Sequence, residues 1–193
     1  MIGCGALARE LVTLARDIPG LEVTCLPARL HNRPDRIAAA VRTRLDEVRA
    51  ERGPEVPVFV AYADCGTGGD LDRALDGTGV DRLPGAHCYE VYAGSAAFAA
   101  LSDEEPGTFY LTDFLARQFD TLVWAGLGLD RHPQLVPQMF GNYRRVVYLA
   151  QTEDPELEAR ARAAADRLGL AYERRLTGIG GLAVSMGAVG VAG

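Results

Sequence analysis

Val58-Phe59-Val60-Ala61-Tyr62-Ala63-Asp64-Cys65-Gly66-Thr67-Gly68-Gly69-Asp70 is the stretch from which the rest of the chain can be read. Residues 58–63 are apolar without alternation, the pattern of a strand covered on both faces, as in a parallel sheet. The run ends in a cysteine and a glycine-rich loop. A helix is expected next, with Asp70 as its N-cap and Asp72 in its first turn, where negative charge is favoured. A strand that ends in such a loop and feeds a helix is the repeating unit of an open α/β sheet. Ligands of those sheets sit beyond the carboxyl ends of the strands.

The same rhythm extends in both directions. Upstream, a short strand over 1–4 leads to a helix over 6–16 with Leu7, Leu11 and Leu14 on one face, and a second strand follows over 21–26. Pro34 opens a helix running to about residue 52, in which Ile37, Val41, Leu45 and Val48 recur at helical spacing. Downstream come a short strand over 80–83, an alanine-rich helical stretch over 88–101, and strands over 109–111, 121–125 and 146–150. Pro155 and Gly169 punctuate a helix over 154–168, and a last strand is expected over 170–174. The stretch 178–193 is apolar but interrupted by glycines and reads as a terminal strand or a flexible, Gly-rich tail. The expectation is a single α/β domain over 1–193. It is a three-layer α/β/α sandwich, Rossmann-like, with a mostly parallel sheet that can be divided into two pseudo-equivalent halves.

Composition narrows the function. The net charge of −6 argues against a nucleic-acid partner or an anionic membrane surface, both of which call for a clustered basic face. All 20 basic residues are arginine. The absence of lysine removes Schiff-base chemistry, a lysine general base and a P-loop lysine together. No apolar run approaches the roughly 20 residues that span a bilayer. The opening MIGCGALARE lacks the basic and apolar regions of a secretory signal, so a cytoplasmic protein is expected. There, four cysteines point to metal binding or catalysis before disulfides.

Cys4, Cys65 and Cys88 each follow an expected strand and precede an expected helix. Helix N-termini favour a thiolate, and glycines beside Cys4 and Cys65 let backbone approach a bulky centre. The three are therefore expected to project into one crevice as metal ligands, whereas Cys25, inside the strand LEVTCLP, reads as core packing. No CxxC pair is present. Three dispersed thiolates suit a [4Fe–4S] cluster with one iron open to substrate, or zinc completed by a histidine. His31, just before a helix start, and His87, adjacent to Cys88, are the candidates for a fourth ligand.

Other residues offer different chemistry. Asp64, beside a strand end, and Glu90, two residues past Cys88, are candidate general acids or bases. Gly66, Thr67, Gly68 and Gly69 form a loop whose N–H groups suit a cofactor or phosphate. Gly5 belongs to Gly3-Cys4-Gly5-Ala6-Leu7-Ala8, which fits the GxGxxG/A dinucleotide pattern. That pattern wants an acid at the end of the second strand, where Leu26-Pro27-Ala28-Arg29 has none, so an NAD(P)-binding domain is an incomplete alternative.

With these loops identified, the chain resembles domain-of-unknown-function family 1638. The segments that carry the likeness are CGALARE, LHNRPDRI, YADCGTGG, HCYEVYAGS, PGTFYLTDFL, LGLDRHP and NYRRVVYLAQT. The resemblance implies that the family's recurring cysteines correspond to Cys4, Cys65 and Cys88, and its histidine to His31. It also implies an association with corrinoid-dependent methyltransferases, hence an accessory role in methyl transfer or in activating a corrinoid protein. The functional expectation is a metal-binding protein, with a [4Fe–4S] cluster or alternatively zinc. It would be an enzyme on a small-molecule substrate or a redox accessory, and a non-catalytic metal- or partner-binding module is a further alternative.

Overall fold

The computed structural model describes residues 1–188, which form two compact units: Met1–Val91 with the chain from Leu182 onward, and Tyr92–Gly181. The fold is α/β, with parallel sheets flanked by helices in the three-layer, Rossmann-like manner. Where one sheet was expected, the described residues carry two.

The first unit holds strands β1 (Ile2–Cys4), β2 (Thr24–Leu26), β3 (Phe59–Ala61) and β4 (Asp81–Arg82), all parallel, in the order β2-β1-β3-β4. Helices α1 (Ala8–Ala15), α2 (Ile37–Arg52), α3 (Asp70–Leu75) and α4 (Cys88–Ala93) follow the strands in turn. Helix α2 buries Ile37, Val41 and Leu45 on one face, as its spacing predicts, and leaves its arginines outward in pairs such as Arg42–Asp46. Strand β3 is fully buried, as its unbroken apolar run requires. Register places Ile2 beside both Thr24 and Val60, so β1 is the strand from which the order departs in both directions. The gap between β1 and β3 is therefore the topological switch point, where loops diverge and a crevice opens.

In the second unit, α5 (Ser95–Glu104) precedes β5 (Thr108–Thr112), α6 (Asp113–Gln118), α7 (Val136–Phe140), β6 (Arg145–Ala150), α8 (Pro155–Leu168) and β7 (Ala171–Leu176). The strands are parallel in the simple order β5-β6-β7. Helix α8 starts where Asp154 accepts from the N–H groups of Glu156 and Leu157, with Pro155 in the first turn, and stops at Gly169 with φ of 72°. Asp113 is 1% exposed, and its carboxylate accepts from the Tyr148 hydroxyl at 2.7 Å, the Gln151 N–H at 3.0 Å and the Thr152 hydroxyl at 2.6 Å. It thereby ties the end of β5 to the end of β6.

Several expectations are corrected. Residues 121–125 are not a strand: Phe119–Trp124 is a π-helical turn that buries Phe119, Val123 and Trp124, an i, i+4 pattern that β-rich composition disguised. The stretch 88–101 is split at Gly94, whose φ of 81° ends α4 before α5 begins. The apolar end is a helix, α9 (Gly180–Ala188), with Leu182 and Met186 buried one turn apart; residues 189–193 of the expected tail lie outside the described residues. Among the described residues no helix is long and apolar enough to cross a membrane.

Candidate metal centre

Three cysteines arrive from three strand ends of the first unit. Cys4 is the last residue of β1, Cys65 lies in the loop after β3, and Cys88 is the first residue of α4, which follows β4. Two of the three thus flank the switch point. The loops carrying Cys65 and Cys88 are stitched together: the Asp64 N–H donates to the Gly85 carbonyl at 3.1 Å, and the Cys65 N–H to the Ala86 carbonyl at 2.8 Å. Cys4 and Cys88 are buried, 3% and 8% exposed, and Cys65 is half-buried.

Burial pushes the Cys4 thiol up to about 11 and the Cys65 thiol up to about 12, and lifts Cys88 well above the ordinary range. Neighbouring groups add to the rise: Cys4 and Asp64 act on Cys65, Cys65 and Cys4 act on Cys88, and Cys25 acts on Cys4. Backbone N–H groups oppose the rise, from Ala6 and Leu7 at Cys4, from Ala63 and Cys88 at Cys65, and from Cys88 and Tyr89 at Cys88. The helix starts were expected to deliver thiolates. Desolvation outweighs them, so these are neutral thiols unless a cation draws the protons off. Among the described residues, no three His, Cys, Asp or Glu side chains stand close enough together to hold a single metal ion.

Cys65 has φ of +52°, and among the described residues it is the one non-glycine with positive φ. A left-handed conformation costs an ordinary residue about 1–2 kcal/mol, so the surroundings must impose it. Asp64 is what imposes it. Its carboxylate accepts from the Thr67 hydroxyl at 2.6 Å and from the N–H groups of Gly69 at 2.9 Å and Gly68 at 3.2 Å. The Thr67 hydroxyl first, then the Gly69 N–H, lower the Asp64 carboxyl to about 2. Such a group has little affinity for a proton at neutral pH, and its oxygens are committed to folding the loop that aims Cys65. The same bonds engage the N–H groups of Gly68 and Gly69. Gly66 lies exposed, with its Cα side facing Pro34.

Glu90 does parallel work on the next loop, its carboxylate accepting the Ala86 N–H at 3.1 Å. Gly5 is a packing position. A Cβ there would stand 2.6 Å from the Leu26 carbonyl oxygen and 2.9 Å from the Ala28 nitrogen, so backbone from the end of β2 fills that space. This close approach brings the 3₁₀ turn Ala28–Asn32, and with it His31, up to the end of β1.

His31 Nδ1 lies 3.8 Å from Cys4 Sγ and 3.1 Å from the Ala28 carbonyl oxygen. A carbonyl only accepts, so Nδ1 carries the proton and Nε2 holds the lone pair. Burial lowers the His31 pKa, against the Ala28 hydrogen bond, and His87 lowers it further. The imidazole is therefore neutral, with its other nitrogen fixed by a carbonyl in the way of metal-binding histidines. His87 itself is exposed, 5.9 Å ring to ring from Tyr89.

Two residues fall outside the sequence reading. Cys25 is exposed, not core, although its Sγ leans toward Gly3 of β1, where an added Cβ would stand 3.3 Å from it. Tyr62, passed over as one more apolar residue of the β3 run, is 1% exposed and buries its hydroxyl among the cysteines. No periodicity marks it, because only the pairing of β3 with β1 brings it to the site.

No curated protein and no solved structure matches the chain. The family described as protein of unknown function (DUF1638) matches residues 25–185, a span that includes His31, Cys65 and Cys88 and begins after Cys4. The chain belongs to that family.

Proposed function

We propose that the crevice between β1 and β3 holds a [4Fe–4S] cluster on Cys4, Cys65 and Cys88, leaving one iron open to a small-molecule ligand. The observation that carries this reading is the arrival of two buried thiols and one half-buried thiol, each met by backbone N–H groups, from three strand ends of one parallel sheet, two of them flanking its switch point. The donor set fits. Thiolate is the usual cluster ligand, and N–H groups directed at the sulfurs stabilise the charge the cluster leaves on them. The cluster, when bound, supplies a Lewis-acidic or electron-carrying iron. The chain's own part is to hold three thiolates, exclude water around Cys4 and Cys88, and keep the exposed Gly66 side of the Cys65 loop open to an incoming ligand. In this reading the protein is an enzyme or redox accessory of corrinoid-linked methyl-group metabolism in the cytoplasm, with a corrinoid protein or methyltransferase as partner. That metabolic setting rests on the family resemblance alone.

Zinc is the second reading. Its support is His31, a neutral imidazole whose Nδ1 lies 3.8 Å from Cys4 Sγ, which would offer a fourth donor beside three thiolates. A zinc-bound thiolate would suit methyl or thiol transfer. Anaerobic reconstitution with iron and sulfide separates the two. We expect iron and acid-labile sulfide to be retained, with a spectrum that responds to an added small thiol in the wild type and in His31→Ala. Retention of zinc with no sulfide would overturn the cluster reading, and a spectrum indifferent to added ligand would make the centre structural.

A further inference from the structure

We infer that Tyr62 is a positioning residue of the metal centre, donating its hydroxyl to the sulfur of Cys4 once that sulfur is a metal-bound thiolate; this rests on the reading above. Three observations carry it. The register of β1 with β3 pairs Ile2 with Val60 and Gly3 with Ala61, and one more step along both chains sets Tyr62 abreast of Cys4 across the switch point. The side chain is 1% exposed, so its hydroxyl has no route to solvent. Among the described residues its oxygen is buried with no hydrogen-bond partner, which sets it apart from Tyr148, whose hydroxyl is taken by Asp113. A buried phenol hydroxyl left unpaired costs about 1–3 kcal/mol, and phenylalanine would fill the same space without that penalty.

The surroundings say what the hydroxyl is kept for. The register that sets Tyr62 abreast of Cys4 puts the phenol on the strand next to the one that ends in that sulfur. A neutral thiol is a weak acceptor, whereas a thiolate is a strong one. Loading the site converts one into the other and gives the orphan hydroxyl its acceptor. A donor on a metal-bound thiolate withdraws electron density from it, which eases reduction of the metal and fixes the ligand's orientation.

Tyr62→Phe removes the hydroxyl and keeps the ring, so the test compares it with wild type after anaerobic reconstitution with iron and sulfide. We expect equal iron and sulfide content, a lower reduction potential in the variant and a shifted sulfur-to-iron charge-transfer band. The denaturation midpoint of the metal-free variant should be equal to or above that of metal-free wild type. If wild type retains zinc instead, the same comparison is made on the thiolate-to-cobalt band after Co²⁺ substitution. Loaded proteins with the same potential and the same band would overturn the role of Tyr62 while leaving the metal centre standing. A metal-free midpoint that falls in the variant would also overturn it, because the hydroxyl would then have a partner within the protein. Failure of wild type to take up any metal would sink the site and this inference together.

Discussion

The two sheets share parallel strands and βα connections, yet their carboxyl ends are finished in opposite ways. At the ends of β5 and β6, Asp113 is buried and saturated by Tyr148, Gln151 and Thr152, while the Asp113 N–H donates to the Gln151 side chain at 2.7 Å. At the ends of β1 and β3, buried polar groups are left incomplete: neutral thiols, an unpaired Tyr62 hydroxyl and a cysteine with positive φ. Strand order explains why. The order β5-β6-β7 never reverses, so successive loops can close over one another, whereas β2-β1-β3-β4 reverses at β1 and separates the loops on either side. A saturated buried network stabilises, and an unsaturated one lowers stability unless a ligand completes it.

The sharpest way to break this contrast is to remove the centre of the saturated end. Asp113→Ala strips partners from three donors and should destabilise the protein by about 3 kcal/mol or more, read from urea denaturation. Cys65→Ser in metal-free protein should cost less than about 1 kcal/mol, because its half-buried loop is held by Asp64 and not by the thiol. Equal losses in the two variants would mean that the two strand ends are not different in kind.

Next in size is Gly5→Ala. The added methyl meets backbone at 2.6 Å and 2.9 Å, which no side-chain rotation relieves, so a loss of about 1–3 kcal/mol is expected. Stability unchanged from wild type would show that the end of β2 does not press on Gly5.

Much of this was legible in the sequence, and the limits have physical causes. Unbroken apolar runs identified the parallel strands β3 and β6, and the expected placing of Cys4, Cys65 and Cys88 between strand ends and helix starts is seen in the fold. What failed were inferences that depend on neighbours far away in sequence. Cys25 looks internal along its own strand, yet it is the exposed residue of β2, between half-buried Thr24 and Leu26. Asp64 looks like a free acid beside a glycine loop, and its carboxylate is consumed in forming that loop. A helix start beside a cysteine suggests a thiolate, but burial, which local sequence does not report, reverses the balance. Tyr62 and Asp113 escaped for the same reason, since each matters through a residue on another strand.

The smallest expected effect is a useful control. Cys25→Ser exchanges one exposed polar group for another and should change stability by no more than about 0.5 kcal/mol. A loss comparable to that of Gly5→Ala would place Cys25 in the core after all.

The most direct test of the central claim is iron and sulfide content after anaerobic reconstitution of wild type and of four single variants, Cys4→Ser, Cys65→Ser, Cys88→Ser and Cys25→Ser. Each of the first three should lose most of the cluster while remaining folded, and Cys25→Ser should retain as much as wild type. Equal retention in all four variants, or equal loss in all four, would contradict a metal centre built on the strand-end cysteines.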